Sequence, residues 1–320
     1  MKEFMKSMLN VAFQRAVLTL ALSFFSLTLF AQQPNPDQIA MLRWYAADYN
    51  ATVALGSPLY LAFDGASMWV TTNNQTVVKV RASDGAVLGT FTGFSVPTGV
   101  AFDGANIWVV NWNTNSVIKL LASDGSVVGT FPVGGGPNCV AFDGANIWVT
   151  NSFVNTVTKR RASDGALLGT FNVGNDPLGI AFDGSNIWVA NSGASSVTKL
   201  RASDGAVLGT FGVGSSPAFL AFDGANMWVT NSKSNSVSKL RASDGAVLNT
   251  ITMGGTPQGV AFDGAFIWVA NSGSNTVTRV RASDGAIFGT FPTGSNPLSV
   301  AFDGASIWVV NASGNSLSKM

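Results

Sequence analysis

The side chains of this 320-residue chain that could do chemistry recur at fixed spacing. Aspartate precedes glycine at thirteen places, in two sets. Asp64, Asp103, Asp143, Asp183, Asp223, Asp263 and Asp303 form the first; Asp84, Asp124, Asp164, Asp204, Asp244 and Asp284 form the second. Carboxylates serve as general acids, general bases or ligands for a hard cation. A calcium loop, however, draws several oxygens from one segment. Each segment here offers a single Asp, without the alternating acidic spacing of such a loop. Asp-Gly is instead suited to tight turns, because Asp bonds the nearby backbone and Gly accepts a positive φ. The two sets are therefore expected to be turns, and no metal site is predicted.

The cations are equally regular. Lys79, Lys119, Lys159, Lys199, Lys239, Arg279 and Lys319 hold one position, and Arg81, Arg161, Arg201, Arg241 and Arg281 follow two residues later, with Leu121 breaking that set. Formal charge is +1; loss of the first 31 residues removes Lys2, Lys6, Arg15 and Glu3, three cations and one anion, and leaves −1. A near-neutral chain has no electrostatic drive toward nucleic acid or an anionic membrane. Both cation sets are thus expected to pair with turn aspartates, their stems covering apolar surface. A polyanion-binding band is the alternative. There is no histidine, so the commonest general base, metal ligand and pH switch are missing, and no Ser-His-Asp set can form. Cys139 is the single cysteine. It can form no intrachain disulfide, and with no His to activate it, it reads as a small buried filler. No catalytic set and no cofactor are predicted.

These residues sit in an internal repeat. Ala-Phe-Asp-Gly recurs with its Ala at 62, 101, 141, 181, 221, 261 and 301, one interval of 39 residues and five of 40. A fixed period of this length marks a repeat architecture. In the unit that begins at Pro177, the apolar run Leu178 to Asp183 ends at a Gly184-Ser185-Asn186 turn. Ile187 to Ala190 follows, then a polar loop from Ser192 to Ser196. Val197 to Ala202 alternates, Ser203-Asp204-Gly205 turns, and Ala206 to Val213 is rich in β-formers. Four short strands per unit, with turn chemistry between them and no sustained helical period, are the arithmetic of a propeller blade. The predicted fold is all-β: a seven-bladed β-propeller of four-stranded antiparallel blades over residues 51–320. The seventh unit lacks a fourth strand before Met320, while Ala51 to Pro58 aligns with Gly169 to Pro177, a fourth strand with no blade of its own. That N-terminal strand is expected to complete the last blade and close the ring, leaving only short, protected edges.

Trp69, Trp108, Trp148, Trp188, Trp228, Trp268 and Trp308 hold one position of the second strand, and Phe63, Phe102, Phe142, Phe182, Phe222, Phe262 and Phe302 one position of the first. Large aromatics required in every blade are expected to fill the layers between blades rather than to stack on sugars or bases.

Ahead of the repeat, Lys2, Lys6 and Arg15 precede an apolar stretch from Ala16 to Ala31, after which Gln32, Gln33, Pro34 and Pro36 are polar or helix-breaking. This reads as a signal peptide over 1–31, since the apolar stretch is short for a spanning helix. It predicts a secreted, periplasmic or surface protein with no membrane insertion after cleavage. Residues 32–50 form an extension; Ile39, Leu42 and Tyr45 are spaced as in a short helix.

The tetrads Trp148-Val-Thr-Asn151 and Trp228-Val-Thr-Asn231 resemble the Tyr-Val-Thr-Asn signature of the YVTN family of β-propeller repeats. Asn271-Ser-Gly-Ser-Asn-Thr-Val277 and the Val-Gly-x-x-Pro joint between units look similar too. The resemblance covers 51–320 and implies an envelope or secreted propeller that binds rather than catalyses. The related streptogramin (virginiamycin B) lyases also have seven blades. Their activity depends on histidine and glutamate with bound magnesium; this chain has no His, and its one Glu is Glu3.

A symmetric scaffold places function where its symmetry breaks. The two Asp-Gly turns of each blade should share one face. The loops after the second strand and before the first should share the other, and there the units differ. Trp112 replaces Ser; Phe153 and Val154 bring apolar bulk; Lys233 and Asp176 are charges found once each; Phe94 stands where others have Gly or Ser. Tyr60, Cys139 and Phe219 replace Gly at the start of the first strand, near the central channel. Trp112, Phe153, Val154, Phe94, Lys233, Asp176, Tyr60 and Phe219 are accordingly the candidate ligand-binding residues. Exposed aromatics on loops of a rigid scaffold are typical anchors. The expected partner is a protein, peptide or glycan of the envelope or exterior. The alternatives are a lyase of the streptogramin kind and a purely structural, self-associating envelope protein.

Overall fold

A computed structural model describes residues 51–320. The signal peptide and the extension expected over 1–50 lie outside the described residues. The described chain forms seven four-stranded antiparallel sheets. Blade 3 is typical, with strands Pro137–Phe142, Asn146–Asn151, Thr156–Arg161 and Leu167–Asn172 in sequence order. Blades 1 to 6 begin at Pro58, Pro97, Pro137, Pro177, Pro217 and Pro257. Blade 7 takes Pro297–Phe302, Ile307–Asn311 and Ser316–Lys319 from the C-terminal end and Ala51–Ala54 from the N-terminal end. Ala51 lies opposite Lys319 and Ala54 opposite Ser316, so closure by the N-terminal strand is as the sequence predicts. Val53 and Leu55 pack in the core beside Trp308 and Leu317.

The seven first strands contact one another in a closed circle and so surround the axis. Both Asp-Gly turns of a blade share a face, since the Ala82 N–H in the second turn donates to the Ala66 carbonyl in the first, 3.0 Å. The other two connections share the opposite face: the Trp112 N–H donates to the Val96 carbonyl, 3.1 Å. The core lies in layers between blades. In one such layer Trp69 of blade 1 packs with Val100, Ile107, Val109 and Leu120 of blade 2. Six of the seven repeated tryptophans are fully buried and Trp268 nearly so. The repeated Phe residues are half-buried beside them.

The turn aspartates do more than shape turns. Asp143 Oδ1 accepts the backbone N–H groups of Ala145 and Asn146, while Oδ2 accepts the indole N–H of Trp148 at 2.7 Å. The same indole bond recurs in all seven blades at 2.7–2.8 Å. It satisfies the one polar atom of each buried Trp, which a buried donor requires.

The cations divide. Arg81, Arg161, Arg201, Arg241 and Arg281 pair with the Asp three residues on, at 2.8–3.0 Å, as expected. Among the described residues the lysines do not pair with aspartate, contrary to expectation. Lys119 is buried; its Nζ donates to the Ala162 and Ser163 carbonyls of the next blade, 2.7 and 3.2 Å, and lies 5.3 Å from the centre of the Trp108 ring. Lys79, Lys159, Lys199 and Lys239 repeat this arrangement. Carboxylates on the turns already accept local N–H groups, while the carbonyls of the neighbouring turn face inward. The lysine therefore becomes a cross-blade tie.

Candidate functional site

The irregular loops converge on one face, and the sharpest irregularity lies on blades 2 and 3. After Asn111, the residues Trp112–Thr114 form a single 3-10 turn, held to the preceding joint by Trp112 N–H to Val96 O and Asn113 N–H to Ser95 O. On blade 3 the Ser152 and Phe153 N–H groups donate to the Gly136 and Gly135 carbonyls, 2.9 and 3.1 Å. The Trp112 and Phe153 rings meet edge to face, centroids 5.5 Å apart and planes at 79°. Phe153 remains 70% exposed and Val154 51%, a large apolar display for loop residues. The sequence predicts that these three residues come from adjacent units, and the structure joins the two rings directly.

The floor of this corner is the joint Gly134-Gly135-Gly136. Gly136 has φ +66°, and a β-carbon there would lie 2.7 Å from Phe153 Cγ. The run of three glycines is the signal in the sequence that marks this seat.

Asp176 stands beside the same turn. Its N–H donates to Asn155 Oδ1 at 2.9 Å, two residues past Phe153, and its backbone is left-handed at φ 50°. Asp176 is exposed and in no ion pair among the described residues. Lys233 is exposed on the corresponding loop of blade 5, its N–H bonded to the Ser215 carbonyl at 3.2 Å. It is two blades away from Phe153, so the structure does not bring it to the aromatic corner.

Phe94 is not a surface residue. It is 5% exposed and packs with Trp69, Val77, Val100 and Ile107. In four of the other joints Val133, Val173, Val213 or Met253 fills this layer and Gly follows. In the joint of blade 2 the order is reversed: Gly93, at φ 96°, comes first and Phe94 becomes the plug. Phe94 is therefore removed from the candidate site.

Tyr60 and Phe219 meet at the axis. Their rings are 5.7 Å apart, although they belong to blades 1 and 5, whose first strands are not neighbours. The contact must span the lumen. Burial raises the Tyr60 phenol well above its ordinary range, with a smaller push from Cys139; burial takes the Cys139 thiol to about 12. The two rings thus form a plug across the channel rather than an open mouth. Glycines on the intervening first strands explain the alternation. A β-carbon at Gly99 would lie 2.7 Å from the Asn138 carbonyl oxygen of the next strand, so side chains can enter the lumen only from the other strands.

A cleft of about 610 Å³ lies at the closure seam, between blades 7 and 1, lined among others by Lys79, Arg81, Leu88, Asp303 and Lys319. Its cations are engaged. Arg81 pairs with Asp84, Lys79 donates to Ala122 O, and Lys319 donates to Ser83 O at 3.4 Å.

No family model and no curated protein matches the sequence. Solved structures do match in fold. Hydrazine synthase of Kuenenia stuttgartiensis superposes with a TM-score of 0.71 at 19% identity, over 83% of this chain and 96% of that one. A streptogramin B lyase structure superposes with a TM-score of 0.71 at 18% identity, over 85% and 95%. At such identities the likeness is one of fold. This chain is a seven-bladed β-propeller of the architecture found in streptogramin B lyase.

Proposed function

We propose that this protein is an exported binding module that takes a protein, peptide or glycan on its irregular loop face. The observation that carries the reading is the Trp112–Phe153 corner, where exposed Phe153 and Val154 stand beside a half-buried Trp112. Rigid aromatics presented on a closed scaffold supply contact area at little conformational cost. Binding rather than catalysis is favoured by the absence of His and by the use of the turn carboxylates as acceptors for indole and backbone N–H groups. The test is capture from envelope extract by the mature chain beginning at Gln32. The control bait carries Trp112→Ser, Phe153→Gly and Val154→Ser. A partner held by the first and lost by the second, at equal melting temperature, supports the reading. Identical capture by both baits removes the loop face from consideration.

A further inference from the structure

We infer that the aromatic corner recognises a cationic side chain, the arginine or lysine of a peptide, with Asp176 as its counter-charge; this rests on the loop-face reading above. Four observations converge. The two rings stand at 79°. A flat sugar stacks best on a flat platform, whereas two ring planes at nearly a right angle enclose a compact group from two sides, as cation–π recognition uses.

The second observation concerns Asp176. Every other aspartate among the described residues lies on an Asp-Gly turn and accepts hydrogen bonds through its carboxylate, as Asp124 does from Ser126 and Asp143 from Trp148. Asp176 alone lies on the loop face, and its carboxylate oxygens have no hydrogen-bond or ion-pair partner among the described residues. Its backbone is held at both ends, the N–H donating to Asn155 Oδ1 of the loop that carries Phe153 and the carbonyl accepting the Ser192 N–H of the next blade, each at 2.9 Å. A solvated carboxylate needs no partner. One anchored through Asn155 to the loop that presents Phe153, though, supplies the charge complementarity that a cation requires.

Third, Trp112 differs from the seven tryptophans of the blades. Their indole N–H groups are bonded to aspartate, and that of Trp112 makes no hydrogen bond among the described residues. In the proposed complex it donates to a carbonyl of the incoming peptide. Fourth, the glycine floor at Gly135 and Gly136 leaves no side chain of its own to fill the corner.

The experiment follows the indole ¹H–¹⁵N signal of Trp112, assigned by its loss in Trp112→Ser. The mature protein is titrated with acetyl-Gly-Ser-Arg-Ser-Gly-amide, with the same peptide carrying neutral citrulline, and with a maltooligosaccharide. The arginine peptide is expected to shift this signal saturably and to bind about tenfold tighter than the citrulline peptide. Asp176→Asn should weaken the arginine peptide about fivefold and leave the citrulline peptide unchanged. Phe153→Gly should weaken both. Equal affinity for arginine and citrulline, no effect of Asp176→Asn, or an unmoved Trp112 signal each overturns the inference. If the sugar alone moves the signal, the corner binds a neutral glycan. The cation inference then falls while the loop-face reading stands; the extract capture tests that reading by itself.

Discussion

At the scale of the residue, the repeated positions are matched donor and acceptor sets rather than reactive groups. Asp143 joins its own turn to the buried Trp148 indole. Removing that acceptor leaves the donor buried without a partner, which costs about 1–3 kcal/mol. Asp143→Ala is therefore expected to lower stability by that amount in urea unfolding. Asp124→Ala should lower it far less, because Asp124 is exposed and its carboxylate bonds to Ser126 and its own backbone, all within one surface turn. Equal losses would show that the indole bond contributes nothing beyond the turn itself. The lysines belong to the same logic. Their ammonium groups lie over tryptophan rings and tie one blade to the carbonyls of the next.

At the scale of the element, the joints between blades decide what the loop face displays. Gly136 and Gly144 both have positive φ, +66° and +95°. They differ in surroundings: a β-carbon at Gly136 would meet Phe153, and one at Gly144 would meet nothing within 4 Å. Each alanine substitution carries a backbone cost of about 1–2 kcal/mol. Only Gly136→Ala should also move Phe153 and alter the Trp112 indole signal. If Gly144→Ala perturbs that signal equally, the glycine floor does not position the corner. The joint of blade 2 makes a related point. An exchange of order between Gly93 and Phe94 turns what looks like a loop aromatic into core.

At the scale of the whole molecule, charge and closure set the response to pH. Asp84, Asp164, Asp204, Asp244 and Asp284 are held below the ordinary carboxylate value, first by the backbone N–H two residues on and also by the neighbouring Arg. In Asp223 burial pushes the other way and is outweighed by bonds from Trp228 and Asn226. Groups with a depressed folded pKa stabilise fully above the unfolded value of about 3.9 and lose that contribution as pH falls through the folded value. With no His, nothing comparable titrates near neutrality. The melting temperature is expected to stay level between about pH 5 and 8 and to drop below about pH 4. A midpoint near pH 6.5 in a thermal-melt series would contradict this account.

The repeat made the architecture legible. The period fixed the blade, the thirteen Asp-Gly pairs fixed the turns, and an orphan fourth strand from Ala51 predicted its pairing with Ser316–Lys319. These are local or counting signals, and local chemistry acts the same in every unit. What the sequence could not give was distance between residues of different blades. The Tyr60–Phe219 plug, the Lys119 tie to Ala162, the burial of Phe94 and the seat of Phe153 on Gly136 all depend on how one blade lies against another. Packing between units is settled by the closed ring, because only there do side chains far apart in sequence compete for the same space.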